Sequence, residues 1–224
     1  MISHDSDLIY FLDPAQAIDG IVALGGPLTT TNLLRAYCSG IFPWPINEDI
    51  LPWCCPAKRG ILDFSDLHIP RRLARTRHKS TFHFTIDRSF PQVITHCATV
   101  QRKGESDTWI TRQMMHAYCE LYRQGHAHSV EVWEGTELVG GLYGVDACGS
   151  FSGESMFSFR SNASKLALLF LIGHLKERGL DWIDIQMVTP HLEALGAKVV
   201  SRADFLERLT ATQTCKLILF PQTG

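Results

Sequence analysis

Residues 149–165 read GSFSGESMFSFRSNASK. Up to Phe159 the aromatic and polar residues alternate with small ones, which is the texture of a strand. Ser161 or Asn162 can then open a helix, which runs from Ala163 to Arg178 and stops at Gly179. One strand therefore feeds the strongest helix of the chain directly. A single carboxylate, Glu154, stands among Gly, Ser, Phe and Met. A charge in so apolar a run is costly unless it has a partner or a task. Glu154 is accordingly the first functional candidate.

Working outward, HSVEVWEG and ELVGGLYGVDACGSFSGESMFS read as successive antiparallel strands joined by Gly-containing turns. Upstream, ILDFSDL predicts a strand, PRRLARTR a short helix with Pro70 in its first turn, and FHFTID another strand. Helices are expected from Phe90 to Ala98 and from Thr111 to Gly125. Downstream, DWIDIQMV is a strand, HLEALG a short helix and KLILF a closing strand. A meander of strands followed by helix, strand, helix and strand predicts an α+β architecture. Residues 1–60 have a different texture, rich in Pro, Gly and aromatics. They hold one helix, capped by Thr30 or Thr31 and ending before Gly40. The loop IFPWPINEDILPW that follows has the large apolar groups of a packed irregular segment.

The composition bounds the function. The chain has 224 residues, 45% hydrophobic and 20% charged, with a net charge of -2. It can build a core, and it has no whole-protein basic field, so any nucleic-acid contact requires a local patch. Seven cysteines without a CxxC pair suit free thiols in a reducing cytoplasm better than a disulfide framework or a zinc knuckle. The opening MISHDSDLIYF lacks the pattern of a signal peptide, and the apolar run LALLFLI is too short to span a bilayer.

Several further residues are candidates. Arg71, Arg72, Arg75, Arg77, His78 and Lys79 form a dense basic run, either a solvated face or a phosphate contact. Asp184 and Gln186 alternate along one strand and share a face. They are either a polar edge or an Asp orienting a Gln that positions an attacking amine. His116, His126 and His128 lack acidic or Cys partners at ligand spacing, so buried, hydrogen-bonded histidines are expected rather than a metal site. Cys148 reads as a small core residue. Trp44 and Trp53, in an irregular loop, are candidates to wall a pocket.

The order of elements resembles an N-acyltransferase of the acetyltransferase-like kind. Such folds cradle the CoA pyrophosphate with a Gly-rich loop, and the matching FRSNASKLAL has no glycine, so no CoA is expected. More specifically, AYCSGIFPW resembles the AYxxGIFPW of the bacterial leucyl/phenylalanyl-tRNA–protein transferases. DTWI, GHAHSVEVW, ELVGGLYGV, GESMFS with NASK, DIQ, HLEALGA and SRADFL continue that resemblance in order through nearly the whole chain.

The resemblance implies a small N-terminal mixed domain, residues 1–61, and an acetyltransferase-like α/β/α sandwich domain, residues 62–224. It implies transfer of leucine or phenylalanine, with methionine as a further donor, from aminoacyl-tRNA to the N-terminal Arg or Lys of acceptor proteins, marking them for N-end rule degradation. It implies a cytoplasmic monomer that needs no metal, no other cofactor and no membrane. Gln186, held by Asp184, would position the acceptor amine, and Glu154 would hold the aminoacyl-adenosine end. Trp44 and Trp109, with Tyr37 of the AYCSGIFPW motif, would surround the terminal adenosine and substrate. Leu142, Phe151, Met156, Leu171 and Ile183 would form an apolar socket for the donor side chain, which pairs no hydroxyl or charge. Arg71, Arg72, Arg75, Arg77 and Lys79 would meet the tRNA acceptor stem.

Three departures accompany the match. The family's WWSPxPR is WCCPAKRG here, its DCQ is DIQ, and its GGDL is GGPL. The first motivates an alternative, a related aminoacyl-tRNA-dependent transferase with a changed acceptor. A catalytically silent tRNA-binding module is a third reading, against which Glu154, Asp184 and Gln186 stand.

Overall fold

Leu33, Ala36 and Tyr37 recur at helical spacing and are all buried in helix α1, Thr30–Cys38. Its cap is Thr29, whose side chain accepts from the Asn32 amide, rather than Thr30 or Thr31. The structure, a computed structural model, describes residues 7–100 and 108–221. Most of the opening MISHDSDLIYF and Asp107 of the DTWI motif lie outside the described residues. Around α1, strands β1 (Ile21–Leu24), β2 (Phe42–Pro43) and β3 (Pro52–Cys54) form a small antiparallel sheet in the order β1-β3-β2. The loop expected at 41–53 is thus framed by two short strands. Trp53 is not a pocket wall: it is fully buried and its indole N–H donates to Gly25 O at 2.9 Å.

The remaining elements are β4 (Lys58–Asp63), α2 (Arg71–Lys79), β5 (His83–Ile86), α3 (Phe90–Thr99), α4 (Arg112–Arg123), β6 (Ala127–Glu134), β7 (Glu137–Ala147) and β8 (Ser150–Ser158). They continue with α5 (Ala163–Lys176), β9 (Trp182–Gln186), α6 (Pro190–Glu193), β10 (Lys198–Ser201) and α7 (Arg202–Thr214). The seven strands from β4 onward make one sheet in the order β10-β4-β9-β8-β7-β6-β5. Every neighbouring pair is antiparallel except β8 with β9, which the crossover through α5 makes parallel. The expected mixed α and β content with a central antiparallel meander is what the chain adopts.

Helix α5, apolar nearly all round, packs across β6, β7 and β8 on one face. Helices α1, α3 and α4 pack against the other. Two apolar clusters result, one centred on α5 and one joining α1, β2 and β3 to α3 and α4.

The C-terminal end differs from expectation. KLILF is not a strand: residues 216–220 follow helix α7 without a ladder. Leu219 is buried, and Phe220 stacks on His128 and His174. The closing strand is instead β10, paired with β4. Helix α7 was not anticipated because Phe205 and Leu209 are its buried residues, with Leu206 partly buried beside them, in an otherwise largely polar or small-residue segment. Its N-cap was nonetheless legible in Ser201: Ser201 Oγ accepts from the Asp204 amide and its hydroxyl donates to the Asp204 carboxylate. Cys148, expected in the core, is exposed at the β7–β8 turn with φ +60°.

Candidate active site

Strands β7 and β8 place Glu154 by a defect in their pairing. Tyr143 lies opposite Ser155 and Gly144 opposite Gly153, so Glu154 is the extra residue of a β-bulge. Bulges re-aim side chains, and this one turns Glu154 toward α1 and α4. Gly144 is required there, since a Cβ would lie 2.3 Å from Ser152 O. Between β8 and β9 the registered pair is Ser152↔Asp184. Two residues further along each parallel strand come Glu154 and Gln186. Gln186 Nε2 donates to Glu154 Oε1 at 2.7 Å across that opening.

Asp184 is buried at 3% exposure and fully engaged. It accepts from Arg59 Nε at 2.8 Å and Nη2 at 2.6 Å, from Ser152 Oγ at 3.0 Å and from the Gln186 amide at 3.0 Å. Asp184 therefore orients Gln186 through its backbone, while the Gln186 side chain is held by Glu154. Gln186 itself has φ +53°, and the Met187 amide returns to Ile185 O. Such a tight left-handed turn at a non-glycine residue stores strain of the kind found at functional sites. Gly60 lies opposite Gln186 on β4, and a Cβ there would come within 2.9 Å of the Met187 backbone.

Arg59 is the principal residue that the sequence reading missed. It is 1% exposed, and its guanidinium lies 4.4 Å from the Phe42 ring centroid and 4.5 Å from that of Phe205. Burial works against its charge, but the neighbouring Asp184 raises its pKa above the ordinary value. The fork to Asp184 leaves Nη1 buried without a hydrogen-bond partner among the described residues. Tyr118 was also missed, although helical spacing with Met114, Ala117 and Leu121 puts it on the buried face of α4. A buried tyrosine hydroxyl must find a partner. It donates to Glu154 Oε2 at 3.2 Å and is hydrogen-bonded to the Tyr37 hydroxyl.

Glu154 keeps some solvent access along its strand, but its carboxyl is enclosed by these groups. Burial pushes that carboxyl up to about 7, opposed by the tyrosine hydroxyls and Arg59 and reinforced by Asp184. Burial and the carboxyl together drive both tyrosines well above their usual range, so they remain hydroxyl donors.

The other expected site residues fall into three groups. Trp44 and Trp109 come together, stacked at 5.2 Å and both half-buried. Leu142, Phe151, Leu171 and Ile183 are buried in the α5 cluster, with Met156 packed against it. Tyr37 and Tyr118 belong to the opposite cluster, so Glu154 and Gln186 lie at the junction of the two. On α2 the buried residue is Leu73, and its cations point outward without an ion pair among the described residues. They divide by face. Arg72, Arg75 and Lys79 line a concavity of about 400 Å³ with Thr81 and Ser161. Arg77 and His78 line a separate one, and Arg71 neither.

His128 is buried and bonded to Asp87, whereas His116 is exposed. Among the described residues no cluster of three His, Cys, Asp or Glu could hold a metal ion. No helix among them is long and apolar enough to cross a membrane.

Comparison with known proteins identifies the family. Residues 61–210 match the model of the family described as Leucyl/phenylalanyl-tRNA protein transferase, and residues 26–57 match that of its N-terminal domain. A leucyl/phenylalanyl-tRNA–protein transferase of Lawsonia intracellularis is 45% identical over 210 residues, covering 93% of this chain and 92% of the relative. One from Anaeromyxobacter dehalogenans is 46% identical over 200 residues, covering 89% and 86%. One from Shewanella putrefaciens is 45% identical over 192 residues, covering 86% and 81%. With both family models matched in order and identity of this level along most of each chain, this protein belongs to the leucyl/phenylalanyl-tRNA–protein transferase family.

Proposed function

We propose that this protein transfers leucine or phenylalanine, with methionine as a further donor, from aminoacyl-tRNA to the N-terminal Arg or Lys of acceptor proteins, marking them for degradation. The observation that carries the residue assignment is the meeting of Glu154 and Gln186, 32 positions apart, across the opening between β8 and β9. An aminoacyl ester is already activated, so placing an amine against it supplies much of the rate. In this reading Glu154 holds the aminoacyl-adenosine end, and Gln186, on the turn fixed by Asp184, positions the amine. The stacked Trp44 and Trp109 offer a surface for the terminal adenosine. The cluster of Leu142, Phe151, Met156, Leu171 and Ile183 receives the donor side chain. The basic face of α2 takes the acceptor stem.

The same reading divides the chain into a small N-terminal domain and an acetyltransferase-like catalytic domain, with the division near residue 61. The lone parallel pair β8–β9 and its α5 crossover support it. A monomer in the cytoplasm without CoA completes the proposal. The alternative, a related transferase with a changed acceptor, rests on the altered WCCPAKRG stretch, in which Ala57 and Lys58 are exposed. Trp53 and Cys55 are buried, and Arg59 serves Asp184 from below.

A transfer assay tests the proposal. Labelled Leu-tRNA and Phe-tRNA are offered with peptides beginning with Arg, Lys or Ala. Label is expected on the Arg and Lys peptides and not on the Ala peptide. Gln186→Ala should lower transfer strongly while aminoacyl-tRNA binding persists. Full transfer by Gln186→Ala would remove the catalytic assignment.

A further inference from the structure

Both oxygens of Glu154 are engaged. Gln186 Nε2 reaches Oε1 at 2.7 Å, and the Tyr118 hydroxyl reaches Oε2 at 3.2 Å. The Tyr37 hydroxyl bonds to that of Tyr118 and also interacts with the carboxyl. Tyr37 on α1 is 2% exposed and Tyr118 on α4 is 0% exposed. Two hydroxyls brought by separate elements into an apolar cluster and converging on one carboxyl are more than packing needs. Two phenylalanines would fill the space without polar atoms to satisfy.

Aminoacyl transfer has a proton to move. The amine nitrogen forms a bond to the ester carbon and must lose a proton. The ester C–O bond breaks with its electron pair on the ribose oxygen, which must gain one. The Gln186 carboxamide neither gains nor loses a proton near neutral pH, and Asp184 is committed to Arg59, Ser152 and the Gln186 amide.

We propose that Tyr118 and Tyr37 are positioning residues that present Glu154 as the proton carrier of the transfer. Glu154 takes the proton from the nitrogen as the C–N bond forms and returns it to the ribose oxygen as the C–O bond breaks. The carboxylate is regenerated and no further reactant is consumed. This rests on the placement of Glu154 at the reacting ester.

The groups facing the carboxyl are Tyr37 from α1, Tyr118 from α4, Asp184 and Gln186 from β9, and Arg59 from β4. Tyr143 of β7 stands behind Tyr118. The hydroxyls favour the ionised carboxyl, and Asp184 opposes it. Removing a hydroxyl therefore lets Glu154 hold its proton to higher pH, and the rise of transfer with pH moves upward.

The test is the pH dependence of single-turnover transfer by the full-length protein with saturating Leu-tRNA and Arg-peptide. Tyr118→Phe should move the midpoint up by roughly one unit, and Tyr37→Phe should move it the same way. Melting temperature and aminoacyl-tRNA binding identify the folded variants, so Tyr37→Phe decides if Tyr118→Phe does not fold. A midpoint equal to the parent's in the folded variants overturns the proposal. Glu154→Gln separates the two levels. If it is inactive while the tyrosine variants keep the parent midpoint, only the role of the tyrosines fails. If it transfers at the parent rate, the placement of Glu154 fails as well.

Discussion

The Arg59–Asp184 pair shows how much of the site depends on one buried contact. Asp184 fixes the Gln186 turn and accepts from Ser152, and the charge that allows it to stay buried is Arg59. Removing one partner of a buried ion pair leaves the other uncompensated at about 3–5 kcal/mol. Arg59→Met should therefore lower the urea midpoint by a corresponding amount, and Arg59→Lys should not restore it, because Lys lacks the planar fork. Adding Asp184→Leu to Arg59→Met should recover stability but not transfer. A double variant no more stable than the single one would show that Arg59 and Asp184 are not energetically coupled.

Glu154 carries a second expectation with a definite sign. Its ordinary pKa is 4.5 and burial raises it to about 7 in the folded protein. Between those values the native state holds a proton that the unfolded chain has lost, so stability falls as pH rises through the window. Glu154→Gln does not ionise. Its melting temperature relative to the parent should thus be higher at pH 8 than at pH 5. A difference that does not change with pH would refute the linkage.

At the scale of elements, the strands were legible because their apolar residues alternate, and the amphipathic helices because theirs recur at helical spacing. The elements that were not legible share a cause. In α7, Phe205 and Leu209 are the buried residues, a single i, i+4 pair, and in β10 Val199 is half exposed, so each presents too short a hydrophobic pattern to stand out. KLILF has the composition of a strand but packs by its Leu219 and Phe220 side chains into the α5 cluster, with Phe220 against His128 of β6, Phe151 of β8 and His174 of α5. Glu154, Asp184 and Gln186 stood out as polar groups in apolar runs. The bulge that aims Glu154 and the pairing that brings Arg59 under Asp184 are tertiary facts, invisible to local pattern.

Helix α2 adds what a count of charges could not. Its faces separate Arg72, Arg75 and Lys79, beside Ser161, from Arg77. If the first face meets the acceptor stem, changing those three residues to Gln should make the slope of log affinity for Leu-tRNA against log salt shallower. The expected change is roughly one for each phosphate that is no longer neutralised. Changing Arg71 and Arg77 should reduce the slope less. Equal effects from both sets would mean that α2 acts as diffuse charge and not through one face.

For the whole molecule, the small N-terminal sheet and the catalytic sheet do not have separate cores. Leu33, Tyr37, Phe42 and Trp53 lie in the same buried cluster as Phe90, Met114, Tyr118 and Tyr143. Arg202 at the start of α7 reaches back to Cys55 O at 3.0 Å and Ala15 O at 3.2 Å, and the Gln213 side chain donates to Cys38 O at 2.9 Å. The Tyr37–Tyr118 contact that serves Glu154 crosses the same boundary. The surroundings of the Glu154 carboxyl are thus assembled by docking α1 onto α4, and loss of that docking should disrupt the proposed site and expose the cluster together. Unfolding by urea should then follow one transition, with tryptophan fluorescence from Trp53 and Trp182 coinciding with far-UV circular dichroism. Residues 58–224, which keep β4 whole, expressed without the N-terminal part should lose the cooperative transition, because Tyr118 and its neighbours would face water. Two resolved transitions in the intact protein, or a cooperatively folded C-terminal fragment, would show that the two sheets are independent and that Glu154 is positioned by the catalytic sheet alone.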